Sequence, residues 1–169
     1  MNGGQTTVES SVDETANEQK QQQQQNTPKS ILLIGYSYGS LIAGSASASI
    51  PECIGTVYIA CPFSMQQYLL LFNARYHLKQ SKFKKDLHRL FIHGTKDNFT
   101  STDTFHSWIK SDFSMTSTTV EMLDEADHFF RYRENEVAKT TEKWILKSFP
   151  ALDGNIQNLC SFDINNTKH

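Results

Sequence analysis

The sequence lacks the features that mark membrane, exported and metal-binding proteins. Its three cysteines, Cys53, Cys61 and Cys160, form neither a Cys-x-x-Cys pair nor a zinc pattern with histidine. No apolar run approaches the ~20 residues of a membrane-spanning helix, and the amino terminus has no basic and then apolar stretch typical of a signal peptide. We therefore expect reduced thiols, no metal, no transmembrane segment and a cytoplasmic location.

An excess of charge of either sign is also missing. Residues 31–150 contain 13 Lys and Arg against 12 Asp and Glu, and the whole chain has a formal net charge of −2. A nucleic-acid-binding domain normally presents a strongly basic surface. We therefore expect no nucleic-acid partner.

Apolar residues are scarce at the amino-terminal end of the chain. Residues 1–30 contain only four of them beside seven glutamines, which is too few to offset the entropy of folding. This segment is predicted to be disordered, and residues 151–169, which lack periodicity, are predicted to form a loose tail. The folded domain is predicted at residues 31–150.

Four short runs of apolar, β-branched and aromatic residues lie within that domain, at residues 31–34, 54–60, 87–92 and 118–123. Helical patterns follow three of them, at residues 38–48, from near Thr102 to Phe113, and from Val137 to Phe149. This alternation predicts an α/β fold, a parallel sheet with flanking helices. Residues 62–86 form an insert that is too long for an ordinary connection.

The first run is followed at once by Gly35-Tyr36-Ser37-Tyr38-Gly39. A serine between two glycines, at a sharp turn from a strand into a helix, is typical of a nucleophile elbow. The glycines are expected to remove collisions of the turn with the strand and the helix. The backbone N–H of Tyr38 would then supply one oxyanion-hole donor. Alternatively, Gly35 and Gly39 only form the first turn of a doubly wound sheet.

An acid and a histidine follow later strands of the predicted sheet. The turn His93-Gly94-Thr95-Lys96-Asp97 ends the third run, and Asp124-Glu125-Ala126-Asp127-His128 ends the fourth. A serine nucleophile needs a histidine base and a carboxylate that orients it. Asp97 and His128 are the candidates. Asp103 is a rival acid that fits better at the start of a helix, and His93 is expected to shape the turn.

With these motifs in this order, the chain resembles the C-terminal half of an α/β hydrolase over about residues 31–149. The resemblance implies that Ser37 is the nucleophile, Asp97 the acid and His128 the base of a catalytic triad. It implies a serine hydrolase without a cofactor that cleaves a small-molecule ester, thioester or amide. Intracellular dienelactone-hydrolase-like proteins are the most similar branch. The insert resembles the family's cap, although an amphipathic helix packed on the core explains it as well.

The chain departs from this family in one respect. A complete α/β hydrolase has eight strands, of which the four runs correspond to the last four, and the other half normally supplies the second oxyanion N–H. Residues 1–30 are too polar to replace that half. A shortened gene product is favoured over a half that pairs with another chain or a rearranged fold. An exposed strand at residues 31–34 would allow a homodimer. The alternative function is that of a non-catalytic fragment that acts only as an interaction module or has no activity.

Overall fold

A computed structural model describes residues 30–64, 74–84, 86–113 and 116–150. The chain divides into two units, Met1–Ser30 and Ile31–His169. The elements named below belong to the second unit. The predictions of disorder for residues 1–30 and of a loose tail for residues 151–169 lie outside the described residues, with the exception of Ser30.

The four apolar runs form one parallel sheet. Its strands are β1 (Ile31–Tyr36), β2 (Cys53–Ile59), β3 (His88–Gly94) and β4 (Thr118–Leu123), and they lie side by side in chain order. Tyr36 pairs with Ile59, and Gly94 pairs with Leu123. The carboxyl ends of the strands therefore meet at one edge of the sheet, which confirms the predicted α/β fold.

Four helices are described: α1 (Tyr38–Ser49), α2 (Ala74–Ser81), α3 (Thr102–Asp112) and α4 (Glu134–Ser148). The small side chains of α1 allow a close approach to the sheet, since a Cβ added to Gly44 would lie 2.6 Å from the Tyr58 hydroxyl oxygen. The side chain of Ser101 caps α3 by accepting the N–H of Thr104. None of the helices in the described part of the chain is long and apolar enough to cross a bilayer.

The core lies on both faces of the sheet, because neighbouring residues of a strand point to opposite faces. Tyr58 and Phe91 stack on one face, beneath α1 and α3. Val57 and Leu90 lie on the other face, where Trp144 of α4 covers them. The loops at the strand ends are thus held by a sheet that is packed on both sides.

The insert at residues 62–86 contains α2, which packs against α1. It is tied to the sheet by two cations. The buried Arg89 guanidinium donates to the carbonyls of Leu87 (2.9 Å), Ser81 (3.2 Å) and Lys84, and the Lys84 ammonium donates to the carbonyl of Cys53 (2.7 Å). Residues 65–73 and 85 of the insert lie outside the described residues.

Candidate active site

Ser37 occupies the turn between β1 and α1. Its φ of 50° and ψ of −126° place it in the left-handed half of conformational space, a region that costs a non-glycine residue on the order of 1 kcal/mol or more. The turn is held by the N–H of Ser37, which donates to the carbonyl of Ile59 at 2.8 Å, and by the Ser40 hydroxyl, which donates to the Ser37 carbonyl at 2.6 Å. This geometry presents a half-buried serine side chain at the carboxyl edge of the sheet.

The two glycines that flank Ser37 differ in what they do. A Cβ on Gly35 would lie 2.3 Å from the carbonyl oxygen of Gly39 and 2.5 Å from the Cα of Ser40, so only glycine fits where the strand passes under the helix. A Cβ on Gly39 would meet no atom within 4 Å, and its φ is not positive. The expected collision is therefore found at Gly35, and the expectation was wrong for Gly39.

A continuous series of hydrogen bonds joins Ser37, His128 and Asp97. The Ser37 Oγ lies 2.9 Å from His128 Nε2, and His128 Nδ1 lies 2.9 Å from Asp97 Oδ2. A carboxylate can only accept, so Nδ1 carries the proton and Nε2 of the neutral ring accepts the Ser37 hydroxyl. His128 and Asp97 are buried, with 2% of the histidine exposed. The serine proton is therefore within reach of a base whose tautomer is fixed.

The carboxylate of Asp97 is held by the turn that follows it. Its Oδ1 accepts the backbone N–H of Phe99 at 2.7 Å and of Thr100 at 3.1 Å. Burial by itself would raise the pKa of Asp97, but the hydrogen bonds from His128 and from these two amides outweigh it and hold the pKa below its usual range. Asp97 is therefore an anion next to His128 at neutral pH.

A second histidine supports this turn from the strand side. His93 Nε2 donates to the carbonyl of Thr100 at 3.0 Å, and its ring stacks on Phe105 at 4.3 Å. Burial lowers the pKa of His93, so the ring is neutral, with Nδ1 3.8 Å from Asp97 Oδ2. His93 thus fixes the position of the turn without competing with His128 for the carboxylate.

The turn that carries Asp97 packs tightly on the loop that carries His128. The N–H of Lys96 donates to the carbonyl of Ala126 at 2.9 Å. A Cβ on Gly94 would lie 2.2 Å from that same oxygen, so glycine is required for the close approach. These contacts set the distance between the acid and the base.

Tyr36 links the serine turn to the histidine loop. Its hydroxyl donates to the backbone carbonyl of His128 at 3.1 Å, and the two ring centroids are 5.8 Å apart. Burial raises the pKa of Tyr36, with smaller contributions from Asp97 and Asp127, so the hydroxyl keeps its proton and remains a donor. The contact restrains His128 relative to Ser37.

Solved structures with a similar fold are named as hydrolases. An α/β serine hydrolase homologue from Coxiella burnetii covers 82% of the chain at 14% identity, with a TM-score of 0.52. An esterase domain from Rhodothermus marinus covers 80% at 16% identity, with a TM-score of 0.59. An esterase from Pyrococcus furiosus covers 86% at 16% identity, with a TM-score of 0.58. The chain has the α/β-hydrolase fold.

The chain spans only part of these α/β hydrolases. It covers 60% of the Coxiella protein, 68% of the Rhodothermus domain and 64% of the Pyrococcus esterase. No protein-family model matches the sequence, and no curated protein matches it. At 14–16% identity, the likeness to these solved structures is one of fold.

Within this α/β-hydrolase fold, Tyr38 is the first residue of α1. Its backbone N–H belongs to the first turn of the helix, where aligned peptide dipoles favour negative charge. It directly follows Ser37 in the chain. The assignment of Tyr38 as an oxyanion donor stays a prediction.

The rival acid Asp103 and the thiol of Cys61 do not belong to the hydrogen-bonded series of Ser37, His128 and Asp97. Asp103 is exposed in the first turn of α3. The Cys61 thiol is buried and free, and burial raises its pKa to about 12, so it stays protonated at neutral pH. Among the described residues, no group of three His, Cys, Asp or Glu side chains is arranged to hold a metal ion.

One cavity in the described part of the chain lies away from this site. It has a volume of about 730 Å³ and lies at the opposite edge of the sheet, where β2 and β3 begin, with Cys53, His88 and Phe149 in its walls. It is shallow and open, and Lys84 beside it is already bound to backbone carbonyls. The relay of Ser37, His128 and Asp97 lies at the other end of the strands.

Three supporting features were not foreseen from the sequence. They are the Tyr36 hydroxyl bond to His128, the two backbone N–H groups on Asp97, and the close approach of Gly94 to Ala126. Only the last had a usable signal, because a glycine before an acid in a turn after a strand often marks close backbone contact. The other two depend on the distance between loops.

Proposed function

We propose that this chain carries the nucleophile, base and acid of a serine hydrolase that cleaves a small-molecule ester, thioester or amide. The observation that supports it is the series of two 2.9 Å hydrogen bonds from Ser37 through His128 to the buried Asp97. The serine is half-buried, in a strained turn. The similar fold of proteins named as esterases gives independent support.

In the proposed acylation step, Ser37 Oγ attacks the substrate carbonyl carbon while its proton passes to His128 Nε2. The carbonyl oxygen becomes an oxyanion, and the N–H of Tyr38 donates to it. Asp97 stabilises the imidazolium that forms. The bond from the carbonyl carbon to the leaving group then breaks, and the leaving group takes the proton from Nε2.

Deacylation repeats these steps with water. The oxygen of a water molecule attacks the acyl carbon while His128 Nε2 removes a proton from that water. The same proton then passes to Ser37 Oγ when the acyl-enzyme bond breaks. The residues that carry this chemistry need no cofactor. We also propose a cytoplasmic location. The two free thiols among the described residues, Cys53 and Cys61, are consistent with it.

A fluorophosphonate probe tests the nucleophile, because it reacts with an activated serine and leaves a stable adduct. Mass spectrometry of the digested protein should find the adduct on Ser37, and Ser37→Ala should abolish it. Ser49→Ala, at the exposed last residue of the same helix, is the matched control and should label at the wild-type rate. Labelling that survives Ser37→Ala, or a wild-type protein that does not label, would contradict the proposal.

A second candidate function is that of an interaction module, and the exposure of β1 favours it. In the described residues β1 pairs only with β2, and its Ile34 and Tyr36 are 55% and 44% exposed. Such an edge offers backbone N–H and C=O groups to another strand. We propose a second copy of the chain, joined through residues 31–34, as the partner.

Light scattering after size-exclusion chromatography tests this pairing. The wild type should have the mass of a dimer, and Ile34→Lys should have the mass of a monomer, because the charge disfavours a buried strand pair. Phe83→Lys, which changes an exposed aromatic residue of the insert outside β1, is the control and should remain dimeric. A wild type with the mass of a monomer would contradict this candidate.

A further inference from the structure

Besides Tyr36, two phenylalanine rings lie against the imidazole of His128. The Phe99 ring centroid is 4.2 Å from that of His128, with the planes tilted by 33°. The Phe129 centroid is 5.4 Å away and nearly perpendicular to the imidazole, and the two phenyl rings meet edge to face at 6.1 Å. His128 is buried, but Phe129 is 49% exposed. Solvent therefore meets an aromatic surface beside the histidine.

Phe129 has contacts on both its backbone and its ring. Its backbone N–H donates to Asp127 Oδ1 at 3.0 Å, and the Arg131 guanidinium lies over its ring at 5.3 Å. Such contacts restrain the residue, and a restrained ring loses less conformational entropy when a ligand packs on it.

The chemistry of the proposed reaction decides what meets this surface. The leaving group must take its proton from His128 Nε2, so its heteroatom has to come within about 3 Å of that nitrogen. Phe99 and Phe129 are the phenylalanine neighbours of the same ring. Any substituent on the leaving oxygen or sulfur that extends along the histidine loop therefore contacts them.

We propose that Phe99 and Phe129 form the leaving-group subsite, and that this subsite selects esters of aromatic alcohols over esters of small alcohols. The inference rests on the proposed function of Ser37 and deepens it. Aromatic pairs at centroid distances of about 4.5–7 Å attract beyond simple burial.

Kinetics with paired substrates test the selection. Benzyl and methyl esters of one acid have leaving alcohols of similar acidity, so the ratio of their kcat/KM values reports contacts rather than reactivity. Phe129→Ala and Phe99→Leu should each lower the benzyl-to-methyl ratio by about 2- to 10-fold, the range of one aromatic pair. The ratio for acetyl against butyryl esters of one alcohol should not change, because the acyl group lies on the other side of the scissile bond.

Tyr132→Ala is the matched control. Tyr132 belongs to the same loop and is 98% exposed. Its removal should leave the benzyl-to-methyl ratio at the wild-type value. An unchanged ratio in both Phe99→Leu and Phe129→Ala would overturn the inference, as would an equal fall in the Tyr132→Ala protein.

A binding measurement separates this inference from the proposed function. Benzyl alcohol is titrated into the Ser37→Ala protein, and amide resonances are followed by NMR, with methanol as the comparison. Saturable shifts at Phe99, His128 and Phe129 with benzyl alcohol alone support the subsite, and Phe129→Ala should weaken them. Absent shifts, or equal shifts with methanol, overturn the subsite even where Ser37 labels. Binding of benzyl alcohol together with failed Ser37 labelling supports the subsite and contradicts the hydrolase.

Discussion

The two glycines of the serine turn should respond in opposite directions to the same substitution. In Gly35→Ala the new methyl group would lie 2.3 Å from one backbone atom and 2.5 Å from another, so α1 must move by about 1 Å. Overpacking against backbone that cannot rotate away should cost about 3 kcal/mol, at the upper end of the usual range. In Gly39→Ala the methyl group meets nothing, and the better helix propensity of alanine should contribute up to about 1 kcal/mol.

The difference of about 4 kcal/mol between the variants corresponds to about 2 M in the urea midpoint, at a slope of about 2 kcal/mol/M. Urea titrations followed by circular dichroism measure it directly. The fluorophosphonate labelling rate should fall at least about 100-fold in Gly35→Ala, because a 1 Å displacement of Ser37 breaks its contact with His128. In Gly39→Ala it should stay near the wild-type rate. Equal loss of stability in both variants would refute the steric reasoning.

Three further substitutions test the support of the site. Gly94→Ala should separate the Asp97 turn from Ala126 and lower the labelling rate by about 100-fold, and a wild-type rate would contradict this. Tyr36→Phe removes one hydrogen bond to His128, so its unfolding free energy should fall by about 1 kcal/mol in urea titrations. The depressed pKa of Asp97 stabilises the fold at pH values above the ordinary pKa of 3.8. The difference in unfolding free energy between the wild type and Asp97→Asn should therefore shrink as the pH falls below about 4, in urea titrations at several pH values. A constant difference would show that the carboxylate is not stabilised by folding.

The fold could be predicted because the inner strands β2 and β3 are buried on both faces. A strand of that kind is a short continuous apolar run, and Val57 and Leu90 lie in such runs. The fourth strand lies at the predicted residues 118–123. The other predicted strands differ at one or both ends by one or two residues, and β1 continues through Gly35 and Tyr36 in the extended conformation. The sequence indicated an end of the strand at Gly35, although β1 continues to Tyr36, directly before Ser37.

The support of the site was harder to predict than its central residues. Ser37 and His128 stand after strands, a position that the sequence displays. The bond from Tyr36 to His128 joins residues 92 positions apart, and its existence depends on how two loops approach each other. For Gly39 the sequence predicted too much. The two flanking glycines suggested that both positions are sterically restricted, but only Gly35 is.

The placement of the relay in the sheet has a consequence for partial unfolding. Ser37 follows β1 and His128 follows β4, the two outermost strands of the described sheet, while β2 and β3 lie between them. Outer strands belong to the parts of a protein that open at the lowest free energy. Detachment of either one separates nucleophile from base while the inner pair stays folded. Labelling of Ser37 should therefore disappear at a lower urea concentration than the circular dichroism signal. Loss of labelling would then report the detachment of β1 or β4.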